Sequence, residues 1–267
     1  MTPVSQVIKE QFSNMHLIFR LAAYETKSKN QMNYLGVLWQ ILNPVLQVAI
    51  YWFVFGLGIR QGTPVGDTPF FVWFLIGLIP WFFISPSIVQ GSNSVYAKIN
   101  VVSKMKFPVS VLPTITIVSN AFNFIIMMLV LGAILVLYQI QPGLYMIQLP
   151  YFLISLFIFL FAFTLLCSTI SIIIRDFQVA IQSVMRIMFF LLPVLWDTNR
   201  LDPLYQTILK INPVYYIIEG FRDTLLGRKW FFEDLNYTIY FWSITFLILI
   251  IGASIHVKFR DKFVDYL

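Results

Sequence analysis

The sequence is poor in charge and in metal ligands. Only 11% of its 267 residues are charged, where a water-soluble domain carries about 25%. That leaves too little polar surface to cover a globule in water. A single cysteine, Cys167, excludes an intrachain disulfide and a cysteine-based metal cluster. It sits inside an apolar run and reads as a small packing residue. The two histidines, His16 and His256, lack ligand spacing and are expected at the membrane interface. No glycine is followed by lysine, which excludes a P-loop and with it nucleotide binding in the usual manner. Neither an H-E-x-x-H pair nor a serine elbow occurs, so surface or intramembrane hydrolysis lacks a site. None of the 12 Asp and Glu residues falls deep inside an apolar stretch. Proton-coupled carriers commonly place a carboxylate there. Residues 1–33 hold no apolar run with a small-residue cleavage site, so the N-terminus is not expected to be a cleaved signal.

What is present is apolar. Hydrophobic residues make up 59% of the chain and aromatics 18%. Six stretches approach or exceed the ~20 residues that cross a bilayer as a helix: 37–59, 70–89, 109–138, 151–174, 177–196 and 238–257. The predicted fold class is an all-α integral membrane protein, one transmembrane domain with six spans. A net charge of +6 is then explained by cations flanking the spans, not by nucleic acid. With the N-terminus inside, eleven Lys and Arg fall on the cytoplasmic side and six outside, with Arg186 left within a span. The positive-inside rule therefore places both termini in the cytoplasm.

Three segments between the spans carry pattern. In 1–33, Val4, Val7, Ile8, Phe12, Met15, Ile18, Phe19 and Ala22 share one helical face, opposite Gln6, Lys9, Glu10, Ser13 and Arg20. That is an amphipathic helix in the interface plane, either a membrane anchor or a docking surface for a cytoplasmic partner. The connection 91–107 is polar and basic, and 96–105 within it can form a short helix ending before Pro108. The segment 197–237 holds a helix start at Asn212-Pro213 and a C-terminal glycine at Gly227. It is predicted to form two short helices, 203–211 and 213–226, re-entering the outer leaflet. Val214, Ile217, Ile218, Phe221 and Leu225 form the apolar face of the second, and Glu219 can pair with Arg222 on its surface.

Arg186 stands about nine residues into the fifth span, roughly 13 Å along its axis. A cation at that depth is costly and is by default functional. Either it snorkels or pairs with a carbonyl, or it faces a polar pathway with Gln182 and Ser183 one turn before it. Trp39, Trp73, Trp81 and Phe82 can line such a path, since sugar rings stack on aromatic faces. Pro44, Pro80, Pro86, Pro113 and Pro193 are expected to kink or break their helices.

The run Tyr34-Leu35-Gly36-Val37-Leu38-Trp39 followed by Asn43-Pro44 resembles the start of the first span in type 2 ABC exporter permeases. Lys104-Met105-Lys106-Phe107-Pro108 resembles the family's approach to the third span, and Arg175-Asp176 its exit from the fourth. Asn212-Pro213 with Phe221-Arg222-Asp223-Thr224-Leu225-Leu226-Gly227 matches a further feature, in the family's order. Lys9-Glu10-Gln11-Phe12-Ser13-Asn14, Tyr51-Trp52-Phe53-Val54-Phe55-Gly56 and the placing of Arg186 are most similar to the teichoic acid translocation branch. The sequence departs from the family where Arg-Tyr gives way to Asn33-Tyr34.

The resemblance implies a homodimer paired with two copies of a separate ABC ATPase, which binds ATP and magnesium; this chain then needs no cofactor and has no catalytic site. It implies that the N-terminal helix and 91–107 touch that ATPase, through Lys9, Lys98, Val101, Arg175 and Asp176. The expected cargo is an anionic wall teichoic acid on an undecaprenyl diphosphate lipid, in the cytoplasmic membrane of a Gram-positive bacterium. Lys27, Lys29, Lys104 and Lys106 would gather the diphosphate at the inner face, where clustered cations concentrate anions. Arg186 and Gln182 would then meet polymer phosphates, beside Trp39, Trp73, Trp81 and Phe82. The alternative cargo is another lipid-linked glycan of O-antigen or capsule type, or a small drug. A multispanning lipid-modifying enzyme and an ion-coupled carrier are rival classes.

Overall fold

The computed structural model describes residues 2–31, 34, 36, 38–59, 63–102, 107–198, 201–260 and 263. Among these there is no strand, only an isolated bridge between Val65 and Thr68. The helices are α1 (Pro3–Ser13), α2 (Met15–Gln31), α3 (Leu38–Tyr51), α4 (Phe70–Val102), α5 (Leu112–Leu137), α6 (Leu149–Ile173), α7 (Phe177–Leu191), α8 (Pro203–Lys210), α9 (Pro213–Leu225) and α10 (Leu235–Phe259). A π-helical run, Trp52–Ile59, continues α3, and short 3-10 turns precede α5 and α6.

The amphipathic N-terminal segment is two helices, not one. The Asn14 side chain donates to the Glu10 carbonyl at 2.8 Å and competes with the helical ladder. Val7, Ile18 and Ala22 are buried, whereas Ile8, Phe12, Met15 and Phe19 are exposed, so the apolar residues divide between bundle and lipid. The polar side is used within the chain. Glu10 accepts from Ser110 Oγ and pairs with Arg260 at 2.8 Å. Gln11 donates to the Ser110 carbonyl at 3.0 Å and accepts from Thr114 at 2.8 Å. These bonds bring α1, the entry to α5 and the end of α10 together, so the described chain starts and finishes at one end of the bundle, the terminal end.

α4 is the central post. It packs against α5, α6, α7 and α9. Its 33 residues run to Val102, well past the expected end at 89, and about 50 Å of helix exceeds a ~30 Å hydrocarbon layer. Pro80 and Pro86 stand inside it without ending it, as neighbouring helices in a membrane bundle permit. The described part of the expected separate helix at 96–105, residues 96–102, is therefore the last turns of α4. Lys98 there forms an ion pair with Glu25 of α2. Residues 103–106 fall outside the described residues.

Among the described residues, four helices are long and apolar enough to cross a membrane, within Phe70–Lys98, Val109–Leu137, Gly143–Ile173 and Leu235–Phe259. The first and fifth predicted spans are shorter: Leu42–Gly58 and Phe177–Leu191. The 15 residues of α7 give about 22 Å. The fifth stretch stops at Leu191 rather than 196 because Leu192 is extended (φ −78°, ψ 159°), the conformation a following proline demands.

The loop before α10 forms the two predicted short helices, within a residue at each boundary. Asn212 caps α9 by accepting from the Val214 N–H at 2.9 Å, and Gly227 takes the left-handed conformation past its end (φ +64°). Val214, Ile217, Ile218, Phe221 and Leu225 are all buried. His256, expected at the membrane interface, lies in the last turn of α10 and faces the bundle interior. It is fully buried in α10, its Nδ1 lies 3.0 Å from Thr169 Oγ1, and its ring meets Phe263. Cys167 is a buried free thiol.

Candidate functional site

Between α3, α4 and α7, with α5 at the back, lies a cleft of about 1200 Å³. Polar residues interrupt each wall. α3 contributes Asn43 and Gln47, α4 Ser85 and Gln90, α5 Asn123, and α7 Gln182 and Arg186. Trp39, Trp81 and Phe82 supply aromatic faces. Among the described lining residues Arg186 is the one ionisable group apart from the tyrosine Tyr51, and its hold on the protein is weak. Its Nε donates to the Gln182 carbonyl at 3.3 Å and Nη2 to Ser183 Oγ at 3.4 Å. The guanidinium is exposed, with no carboxylate among the lining residues to neutralise it.

The end of the cleft away from the termini is closed by rings. Phe189 of α7 stands 5.1 Å from Tyr51 and 5.7 Å from Trp81. Nearer the termini, Gln178 ties α7 to α4. Its Nε2 donates to the Val89 carbonyl at 2.9 Å and its Oε1 accepts from Ser92 at 2.7 Å.

The structure brings Arg186, Gln182, Trp39, Trp81 and Phe82 to this one cleft, and leaves Trp73 out. Trp73 is buried on the other side of α4, beneath Arg222, whose guanidinium carbon sits 3.5 Å from the ring centre. Arg222 is itself fully buried, so its pairing with Glu219 is not the surface contact predicted from the sequence. Nη1 donates to Glu219 at 2.6 Å and Nη2 to the Val194 carbonyl at 3.2 Å. Gly77 makes the room, because a Cβ there would lie 2.3 Å from Nη2. The cluster thus locks α9 onto α4 and onto the break that follows α7. Burial lowers the Arg222 pKa, opposed by Glu219. Burial, with Glu219 adding to it, pushes the neighbouring Asp223 carboxyl up to about 7.

The other expected site residues gather at the end that holds the termini. Lys9 and Lys27 are exposed there, as are Arg175 and Asp176 in the turn between α6 and α7. Lys98 is half-buried against Glu25. Val101 lies in the last turn of α4. Lys104 and Lys106 lie outside the described residues, and of Lys29 only the backbone, within α2, is described. Among the described residues no group of His, Cys, Asp and Glu can hold a metal ion.

Sequence reasoning missed Gln47, Gln90 and Asn123 as lining residues and missed the burial of Arg222. Gln47 and Asn123 are signalled as amides inside apolar stretches, and Gln90 directly follows one. For the second, Arg222 follows Ile218 by four residues, which places it on the buried face of α9.

Residues 16–226 match the family described as ABC-2 type transporter. The O-antigen export system permease protein RfbA of Myxococcus xanthus is 26% identical over 265 residues, covering 97% of this chain and 98% of that protein. Two proteins of the same description from Klebsiella pneumoniae are 26% identical, each over 95% of this chain and 97% of the relative.

Proposed function

The chain belongs to the ABC-2 type transporter family, and on that premise we propose that it is the membrane subunit of an ATP-driven exporter of a lipid-linked polysaccharide. Relatives aligned over nearly its whole length are named for O-antigen export. That favours a glycan cargo of this type over the teichoic acid expected from the sequence. The observation that carries the reading is the cleft between α3, α4 and α7, with sugar-stacking rings, amides and the Arg186 guanidinium. Amides and aromatic faces suit a glycan, and the guanidinium suits the diphosphate joining glycan to lipid.

In this reading two copies of the chain pair, and two ATPase subunits dock at the end that holds the termini, which is cytoplasmic. Lys9, Lys98, Val101, Arg175 and Asp176 lie on the docking side. ATP and magnesium belong to the ATPase. α3 with its π-helical continuation, and α7 with the residues after it, complete six crossings of a bacterial cytoplasmic membrane. Lys27, Lys29, Lys104 and Lys106 gather the lipid diphosphate, and Arg186 receives it. Wall teichoic acid in a Gram-positive cell is the second reading, favoured by Arg186 because that polymer repeats its phosphates.

Depleting the protein in its host tests cargo directly. The expected result is loss of one surface glycan and accumulation of its lipid-linked form on the inner leaflet. If a phosphodiester polymer is lost instead, the second reading replaces the first; if every surface polymer persists, both fall.

A further inference from the structure

A second cavity, of about 500 Å³, lies between α3, α4 and α5 toward the end away from the termini. Its walls are hydrocarbon: Val48 and Ala49 of α3, Leu75 and Ile79 of α4, Ile126 and Val130 of α5. Polar atoms stand only at its two ends. Trp52 and Tyr138 mark the outer end, and Asn123 the inner. Such a space does not fill with water, which needs two to four polar partners, and apolar cavities of about 150 Å³ take a benzene-sized ligand instead. This one is more than three times larger.

Its position identifies the occupant. Val45, Ala49, Ile126 and Val130 are exposed, so the cavity opens sideways where the bilayer's hydrocarbon lies. It adjoins the Arg186 cleft, sharing Pro44, Asn123 and Met127 as wall residues. Asn123 Oδ1, at that junction, is buried and accepts no hydrogen bond. A ligand spanning the two spaces would have an anionic or sugar head beside Arg186 and a hydrocarbon tail between α3 and α5.

We infer that this cavity is a tail site: it holds the hydrocarbon chain of the same lipid whose diphosphate and glycan occupy the cleft, an inference that rests on the exporter reading above. The cavity lies toward the outer end and the cleft toward the inner end. The tail therefore enters the outer half of the membrane while the head is still held in the inner half, and α3 lies between head and tail.

The test uses the complex of this chain with its ATPase in vesicles. One set carries a carrier-diphosphate lipid with a photoreactive diazirine in its chain, another a phosphatidylglycerol with the same group in an acyl chain. The carrier probe is expected to label Val48, Ile79, Ile126 or Val130, and excess unlabelled carrier to compete it away. Ala49→Phe fills the cavity from an exposed helix and is expected to cut this labelling about tenfold, the loss two displaced methylenes produce. Leu46→Phe, on a face of α3 that lines neither cavity, is expected to leave it unchanged. Labelling of these residues by phosphatidylglycerol as strong as by the carrier overturns the assignment, as does absence of carrier labelling. Export by the wild-type vesicles is followed in parallel. Export without labelling removes the tail site and leaves the exporter reading; labelling without export removes the exporter reading and leaves a lipid site.

Discussion

Glu219→Ala is expected to destabilise the protein by about 3–5 kcal/mol, the cost of breaking a buried ion pair. Arg222→Met is expected to cost about 1–2 kcal/mol, closer to a volume-conserving swap. The asymmetry follows from where the charges sit. Arg222 has no solvent exposure, whereas the Glu219 side chain keeps 24%. Removing the carboxylate leaves a guanidinium in the core with one carbonyl and the face of Trp73 as partners. Removing the guanidinium leaves a carboxylate that reaches water, and methionine fills the space over Trp73. The double variant, Glu219→Ala with Arg222→Met, is then expected to match Arg222→Met alone, because the stranded charge is gone. Thermal unfolding of the purified protein with each variant measures this cycle. Equal losses for the two single variants would mean that the cluster is held by packing and not by charge.

Arg186→Glu is expected to lower export at least tenfold while leaving unfolding unchanged. Among the described residues Arg186 makes two long hydrogen bonds, both within α7, so little of the described fold depends on it. A diphosphate near it in a cleft of intermediate polarity gains about 4 kcal/mol at 4 Å, and reversal turns that gain into repulsion. Arg186→Lys keeps the charge but loses the planar fork and is expected to fall between wild type and Arg186→Glu. Rates of ATP-driven export at saturating ATP provide the comparison. If Arg186→Glu exports normally, the cation is a structural or interfacial residue and the cleft does not handle the anionic head.

The helical class, the two short helices after α7 and the cap at Asn212 were legible in the sequence because each rests on local chemistry. A run of apolar residues, an Asn-Pro start and a glycine in the left-handed region act over a few residues and need no partner. The end of α4 was not legible. Polar Gln90, Ser92 and Asn93 look like a loop, yet Ser92 is satisfied by Gln178 and by its own helix at Val89, so the helix continues. The division of the N-terminal helix at Asn14 was missed for the converse reason, since one side chain outweighs an unbroken apolar pattern. Trp73 and Trp81 look alike in the sequence. They separate only because α9 covers one side of α4 with Arg222, while the cleft opens on the other. Lys9 and Glu10 likewise are adjacent cation and anion in sequence, but Glu10 turns inward to Arg260 and Lys9 remains exposed.

As proposed above, this chain forms the path for a lipid-linked glycan driven by a partner's ATP. The most direct measurement is on the purified permease–ATPase complex in proteoliposomes, following a fluorescent glycan on a carrier-diphosphate lipid from one face to the other. Transfer is expected to require ATP hydrolysis, to persist when ion gradients are collapsed, and to be lost with Arg186→Glu. Transfer that ignores ATP but stops with the ion gradient, or that proceeds equally well with Arg186→Glu, would contradict it.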